Sequence, residues 1–127
     1  MKAIDIVKAK VSPEGLPVPK ELLEHLAAER ITSKKDKVFQ YGDIVFTLSL
    51  DEPDTPTVHL YAMNAKAKLL TTCHRFMQDV WVRTQFQVLF APVRNKTVKK
   101  IVERLGWLPV GRNHFGHTIY RIERSKQ

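Results

Sequence analysis

The sequence predicts a single α/β domain over residues 1–127, with a mixed, mostly antiparallel sheet flanked by helices. Three features of the pattern favour this fold class. The middle of the chain alternates apolar and polar residues as a β-hairpin does. A long amphipathic helix follows, between two apolar segments that are typical of strands. Because a strand, a helix and a strand follow each other, a parallel pair with a right-handed crossover is favoured.

The composition is that of one globular domain. The chain has 127 residues, of which 43% are apolar, so it can bury a core without disulfides. No apolar run approaches the roughly 20 residues that cross a bilayer, and the N-terminus does not resemble a secretory signal. The single cysteine, Cys73, excludes an internal disulfide framework. We therefore expect a cytoplasmic protein with no membrane partner.

The formal net charge is +8. Such a balance attracts polyanions, which include nucleic acid, acidic protein surfaces and phosphate-rich cofactors such as coenzyme A. One predicted helix and the residue before its cap gather the best candidate surface: Arg94, Lys96, Lys99, Lys100 and Arg104. Exposed aromatic residues that would stack on bases are not evident among them. The charge is equally consistent with a role in solubility alone.

The N-terminal quarter contains one predicted helix. Residues 1–11 are expected to form a first strand or a loose arm. Ser12–Pro19 contains three prolines and a glycine, which is typical of a linker or turn. Pro19 suits the first turn of a helix, and Lys20–Arg30 then carries leucine and alanine on one face.

The middle of the chain predicts three strands and a helix. The turn Tyr41-Gly42-Asp43 separates two strands, and the second, Ile44–Leu50, alternates so that one face of the hairpin is buried. Thr57–Ala62 is the next predicted strand. Ala65–Arg83 has apolar residues at three- and four-residue spacing and is the strongest predicted helix.

The last third begins with a buried strand, Phe86–Pro92. Asn95 is a good helix cap, because its side chain accepts a hydrogen bond from a free backbone N–H. The helix runs to Leu105, and Gly106 can take the left-handed conformation that ends a helix. His117–Glu123 is the closing strand.

This order of strand, Asn-capped helix, Leu105-Gly106-Trp107 and strand resembles the C-terminal half of the GNAT acyltransferase superfamily. The resemblance covers about half of the chain. It implies a GNAT-like fold in which Thr57–Ala62 and Phe86–Pro92 run in the same direction and splay apart. It also implies that the protein binds acetyl-CoA or another acyl-CoA and transfers the acyl group to an amine.

The resemblance implies a cofactor site at Tyr61, Ala62, Met63, Lys66, Lys68 and Asn95. The backbone of Tyr61–Met63 would hold the thioester carbonyl, as the splayed strand of the family does. Lys66 and Lys68 would meet the pyrophosphate, and Asn95 would lie near the pantetheine arm.

The chain departs from the family pattern at two places. Val102 stands five residues before Trp107, where many members have a tyrosine that protonates the leaving thiolate. Residues 63–68 contain no glycine, although the family usually has a glycine-rich turn there whose backbone N–H groups approach the pyrophosphate. Because lysine contacts phosphate only as a point charge, catalysis would rest mainly on positioning the amine against the thioester. No catalytic residue is assigned.

Other reactive side chains give weaker indications. The five histidines are not spaced as metal ligands, so we expect no metal site. His114 or His117 would serve as a base because histidine titrates near neutrality, or would simply be exposed in a turn. Cys73 lies on an apolar helix stripe, which is more typical of inert packing than of a nucleophile.

Two functions remain open from the sequence. One is a GNAT-like acyl-CoA N-acyltransferase with a degenerate cofactor turn. The other is a non-catalytic GNAT-fold protein, such as a phage- or prophage-type accessory protein, that binds protein or nucleic acid through its basic surface. The sequence specifies neither the acyl donor, the acceptor nor the oligomeric state.

Overall fold

The computed structural model describes residues 1–11, 17–63 and 68–124. Helices and strands follow one another in the order α-α-β-β-β-α-β-α-β-β within this part of the chain. The helices are α1 (Ala3–Lys10), α2 (Lys20–Thr32), α3 (Leu69–Arg83) and α4 (Lys96–Arg104). The strands are β1 (Asp36–Tyr41), β2 (Ile44–Ser49), β3 (Thr57–Ala62), β4 (Val88–Val93), β5 (Leu108–Arg112) and β6 (Thr118–Glu123).

All six strands form one sheet in the order β1-β2-β3-β4-β6-β5. Neighbouring strands are antiparallel except β3 and β4, which are parallel. Parallel neighbours need a long connection, and α3 supplies it. The mixed, mostly antiparallel sheet expected from the sequence is therefore confirmed.

Helices α3 and α4 cover one face of the sheet and enclose the main core. Phe76 of α3 lies flat against Phe46 of β2, with ring centroids 4.1 Å apart, and meets the edge of Phe39 at 5.2 Å. The indole N–H of Trp107 donates to the Sδ of Met77 at 3.3 Å. This hydrogen bond links Trp107, which follows Gly106 at the end of α4, to α3. The predicted apolar stripes of α3 and α4 both face the core.

Helix α1 covers part of the opposite face, which corrects two expectations. Residues 1–11 do not form a strand or a loose arm, because Ala3–Lys10 is a helix whose Ile6 and Val7 pack against Val45 of β2. Consequently β2 is buried on both faces rather than on one, and Thr47 is buried along with Val45. An apolar stretch covered on both sides cannot be told from a half-buried one by alternation alone.

Strand β5 is absent from the sequence-based expectation. Every residue of it is exposed, and it lies at the edge of the sheet, paired only with β6. Pro109 and Gly111 belong to residue types depleted in strands, and the pairing slips between these two positions. An edge strand tolerates both, because one side of its backbone needs no partner.

Several predicted bounds shift by a few residues. Helix α3 begins at Leu69, and residues 64–67 of the predicted helix lie outside the described part of the chain. Residues 12–16 of the predicted linker lie outside it as well. The turn before β2 is confirmed, with Gly42 at φ +61°, a conformation that glycine adopts without steric cost.

Candidate functional site

The parallel strands β3 and β4 separate along their length and open a wedge. Their register contains a single pair, Thr57 with Phe90, and the Phe90 N–H donates to the Pro56 carbonyl at 2.9 Å. By contrast, β2 and β3 pair along their whole length. The expectation that these two segments run in the same direction and splay is confirmed. The wedge encloses a cavity of about 480 Å³.

The wedge cavity has an apolar half on the α3/α4 side of the sheet. Its walls come from β2, β3, β4, α3, α4 and the segment after α4. These are the side chains of Phe46, Val58, Leu60, Cys73, Phe76, Met77, Ala91, Val93, Val98, Val102 and Trp107. Most of them are buried, so this half is an apolar surface suited to a hydrocarbon or thioester group.

The other half of the wedge cavity is polar and lies on the α1 side. Because side chains alternate along a strand, His59 and Tyr61 of β3 point away from Val58 and Leu60. Residues of α1, the position after β4 and the β5–β6 loop complete this half: Lys10, Arg94, Asn113 and His117. The wedge cavity therefore has an apolar half and a polar half, and the polar half is lined by hydrogen-bond donors and imidazole rings.

Asn95 connects the wedge to helix α4. Its Oδ1 accepts hydrogen bonds from the backbone N–H groups of Thr97 at 2.8 Å and Val98 at 3.2 Å, so the predicted cap is confirmed. The same side chain lines the wedge cavity. Capping uses only the carbonyl oxygen, and within the described part of the chain no group accepts from its Nδ2. An amide can donate two hydrogen bonds from that nitrogen.

The backbone of β3 has two sets of amides that point in opposite directions. The Met63 N–H donates to the Asp43 carbonyl at 3.2 Å, toward β2, while the Pro56 carbonyl points toward β4. Since backbone groups alternate along a strand, the amides of Leu60 and Ala62 face the wedge. Within the predicted Tyr61–Met63 segment, only the backbone amide of Ala62 thus faces the cavity. The amide of Leu60, which lies outside that segment, faces the cavity as well.

The remaining predicted cofactor residues are dispersed. The Tyr61 side chain lines the polar half of the wedge cavity, whereas Ala62 packs against the main core and Met63 against the α1 cluster. Lys68 is exposed directly before α3. Lys66 lies outside the described residues. The structure therefore brings Tyr61 and Asn95 to one cavity.

Val102 and Cys73 both face the apolar half. Val102 is 6% exposed and lines the cavity at the position where a tyrosine would supply an acid in the GNAT pattern. Cys73 is a buried free thiol, and burial raises its pKa to about 11. A thiol held in its neutral form is a poor nucleophile. Neither side chain readily supplies a proton-transfer group near pH 7.

A second cavity of about 580 Å³ opens on the same face as the polar half. Its lining includes Asp51 and Glu52 from the β2–β3 loop. Arg30 of α2 bridges Asp36 at 2.7 Å and Asp51 at 2.8 Å, which fixes this loop against α2. The two cavities share three lining residues: His59, Pro92 and Asn113.

His59 is the functional candidate that sequence reasoning missed. Its strand was predicted, and alternation alone would have paired it with Tyr61 on one face of β3. No signal in the sequence shows that this face of β3 borders an opening rather than a neighbouring strand. Of the two histidines singled out as bases, His117 lines the wedge, whereas the exposed His114 does not.

The basic surface predicted from the sequence lies on α4 and just before it. Arg94, Lys96, Lys100 and Arg104 are exposed, and Lys99 is half-buried. Glu103 on the same helix accepts a hydrogen bond from the Tyr120 hydroxyl at 3.0 Å. The outer face of α4 is therefore rich in cations and stands beside the Asn95 end of the wedge.

Two further features were searched for among residues 1–11, 17–63 and 68–124. No three His, Cys, Asp or Glu side chains come together there in a group that could hold a metal ion. None of the helices in these ranges combines the length and apolar character needed to cross a membrane.

No protein-family model and no curated protein sequence matches the chain. Its similarity to known proteins is structural. A domain from Methanocaldococcus jannaschii superposes with a TM-score of 0.70 at 11% identity, covering 98% of this chain and 95% of that one.

Two other similar structures contain a cofactor. Spermidine N-acetyltransferase from Vibrio cholerae, in complex with CoA and spermine, has a TM-score of 0.59 at 13% identity and covers 94% of this chain and 81% of its own. The yncA protein from Salmonella typhimurium, with its cofactor acetyl-CoA, has a TM-score of 0.58 at 13% identity and covers 87% and 76%. Together with the splayed parallel pair, these similarities establish that the chain has the GNAT acetyltransferase fold.

Proposed function

We propose that the protein is an acyl-CoA-dependent N-acyltransferase that holds its acyl group in the wedge between β3 and β4. The observation that carries the proposal is the wedge itself, a cavity that is apolar on the α3/α4 side and polar on the other. An acyl-CoA thioester supplies an activated acyl group, and this cavity offers that group a dry wall and a polar side from which an amine can attack. The proposal keeps the cytoplasmic location expected from the sequence.

The residues present fit an acyl-CoA at three places. The amides of Leu60 and Ala62 face the wedge and would donate to the thioester oxygen, which gains negative charge during attack. The Nδ2 of Asn95 would donate to the pantetheine arm. Lys68, at the start of α3, would meet the pyrophosphate together with Lys66, which lies outside the described residues.

Catalysis in this proposal rests on orientation. Holding the amine and the thioester in contact replaces a bimolecular encounter by an effectively unimolecular step, which supplies about 7–11 kcal/mol in favourable cases. Val102 cannot donate a proton, so the leaving thiolate would have to be protonated by water. We expect Val102→Tyr to raise turnover once an acceptor is known. An unchanged rate in a folded variant would show that this acid does not limit the reaction.

The proposal is tested by titrating acetyl-CoA and following the unfolding midpoint. A ligand that binds only the native state stabilises it by about 2.7 kcal/mol at 100 times its dissociation constant. We expect a saturable rise with acetyl-CoA and a smaller one with 3′,5′-ADP, which carries the 3′-phosphate and one of the two pyrophosphate groups but no thioester arm. No rise at millimolar acetyl-CoA would remove the enzyme proposal.

A pair of variants locates that binding. Val98 is half-buried and lines the wedge cavity, so Val98→Trp should fill it and abolish the acetyl-CoA effect. Val82 lies on the outside of α3 and is 85% exposed, so Val82→Trp is the matched control. If both variants retain the full acetyl-CoA shift, the ligand does not bind in the wedge.

The second candidate is a non-catalytic protein of the same fold, of the phage- or prophage-type accessory kind, that binds nucleic acid or an acidic protein. The exposed cations of α4 favour it. Binding of a fluorescent 20-base-pair duplex should then weaken steeply between 50 and 200 mM salt, because counterions are released from phosphates. Lys96→Gln combined with Lys100→Gln should lower both the affinity and the salt slope. Salt-independent retention, or none at low salt, would reject nucleic acid as the partner.

A further inference from the structure

His59 stands where the polar half of the wedge meets the second cavity. It projects from β3 two residues beyond Thr57, the last point at which β3 and β4 are paired. Its side chain lines both cavities, as do those of Pro92 and Asn113, and it is the only titratable side chain among these three. A molecule moving from the second cavity into the wedge would therefore pass the imidazole.

Resting on the proposed acyl transfer, we infer that the acceptor amine reaches the thioester through the second cavity and that His59 takes its proton. The thioester lies against the apolar, α3/α4 side of the wedge, so the opposite side is left for the acceptor. The second cavity opens on that side and leads to the same strands, β3 and β4.

The other polar groups of the wedge suit this role less well. The ammonium of Lys10 and the guanidinium of Arg94 carry donors and no acceptor. A phenol such as that of Tyr61 gives up its proton only near pH 10 in water. His117 is an imidazole, but it lines the wedge and not the second cavity, and its backbone is tied to Asn113 by two hydrogen bonds of 3.0 Å.

The charged groups around His59 differ on its two sides. The wedge presents Lys10, Tyr61, Arg94 and His117, whereas the second cavity presents Asp51 and Glu52. Cations on the wedge side repel the ammonium form of an acceptor. Carboxylates on the other side attract the ammonium form of an acceptor. Asp51 is bridged by Arg30 and Glu52 accepts from the Thr55 hydroxyl at 2.9 Å, so both are held in place.

The chemical step balances without a further reactant. The neutral amine nitrogen attacks the thioester carbonyl carbon, the C–N bond forms and the C–S bond breaks. The proton lost by the nitrogen goes to the unprotonated ring nitrogen of His59, and a proton from water goes to the departing thiolate. The imidazolium then releases its proton to solvent through the second cavity. One amide and one free thiol result.

The test measures free-thiol release from acetyl-CoA between pH 5.5 and 9, with n-butylamine, spermidine and an N-terminally blocked lysine peptide as probe amines. We expect the rate constant kcat of the native chain to rise between about pH 5 and 8 as an imidazole loses its proton. His59→Gln should lower kcat by about 100-fold or more and flatten that rise. His74→Gln, at an exposed position of α3 away from both cavities, is the matched control and should change neither.

The acetyl-CoA shift of the unfolding midpoint separates the outcomes. A retained shift in His59→Gln shows that the variant is folded and binds cofactor, and His59→Asn gives a second variant if the first unfolds. Cofactor binding without turnover of any probe amine, or turnover with an unchanged rate and pH profile in the variants, would overturn the role of His59. Absence of cofactor binding in the native chain would instead overturn the proposed function, and the role of His59 with it.

Discussion

The two faces of the sheet are built on the same strands but are covered differently. On one face, α3 and α4 enclose an apolar core that includes Phe46, Phe76 and Trp107. On the other, α1 and α2 pack against β1, β2 and β3, while the second cavity lies over β3, β4 and β6. The closed face provides an apolar wall for the wedge, and the half-covered face provides access to it. The opening between the strands connects the two sides, as the proposed acyl transfer requires.

The two faces of the sheet also differ in charge. The α3/α4 side carries basic residues in excess of its two carboxylates, Asp79 and Glu103. The second cavity on the other side is lined by Asp51 and Glu52. A polyanion would be drawn to the first side and an ammonium to the second. This division supports a cofactor that enters from the helices and an acceptor that enters from the opposite face.

The largest predicted effect tests the closed face. Phe76 is 1% exposed and contacts the rings of Phe39 and Phe46. Phe76→Ala should therefore lower the free energy of unfolding by about 3–5 kcal/mol, measured by urea denaturation. Val82→Ala on the outer side of the same helix should stay within about 0.5 kcal/mol. A loss below about 1 kcal/mol at Phe76 would mean that α3 does not close this face.

The next effect tests the other face. Ile6 and Val7 of α1 are almost fully buried against Val45. Ile6→Ala should lower the free energy of unfolding by at least about 2 kcal/mol in the same urea assay. Lys8→Ala, at an exposed position of α1, is the control and should change little. Equal stability of the two variants would show that α1 is a loose arm after all.

A third prediction concerns pH and the apolar half of the wedge. Burial raises the pKa of the Cys73 thiol to about 11, above its ordinary value of 9.0, so the folded state holds this proton more tightly than the unfolded state. The contribution to stability is complete below about pH 9 and is lost as the pH rises toward 11. It amounts to about 2–3 kcal/mol at most.

The loss of stability at alkaline pH is measured as the free energy of unfolding in urea at pH 8, 9, 10 and 11. In Cys73→Ala the loss over that interval should be smaller than in the native chain, because the thiol has been removed. Tyr41 and Tyr120 contribute in the same direction at higher pH, since burial and hydrogen bonds to Asp79 and Glu103 raise the pKa of both phenols. An identical pH profile in the variant would mean that the apolar half is open to water.

The smallest effect separates the two roles of Asn95. Asn95→Ala removes the cap of α4 and should cost about 1 kcal/mol of stability, whereas Asn95→Ser retains a capping oxygen and should cost a few tenths. Both variants lack the Nδ2 that the proposal assigns to the pantetheine arm, so both should weaken the acetyl-CoA shift equally. Thermal unfolding with and without acetyl-CoA measures both quantities. An unchanged acetyl-CoA shift in Asn95→Ser would show that Asn95 only caps α4 and does not bind the cofactor.

The features predicted from sequence are those with a local cause. The stripe of α3 and the Asn95 cap follow from residue spacing and from one side-chain hydrogen bond, and both are found. Helix α1 was not predicted, because its few residues become stable as a helix only when Ile6 and Val7 pack on the sheet. Strand β5 was not predicted, because Pro109 and Gly111 are acceptable only at an edge.

The sequence by itself determined which residues lie on each apolar stripe, where α4 begins and ends, and that a valine occupies position 102. The family resemblance implied that β3 and β4 splay apart. Only the tertiary structure decided that they part after one pair, that the amides of Leu60 and Ala62 face the gap, and that His59 borders two cavities. The physical reason is one of range. Side-chain periodicity and capping act within a few residues, whereas the gap between two strands is set by everything packed on both faces of the sheet.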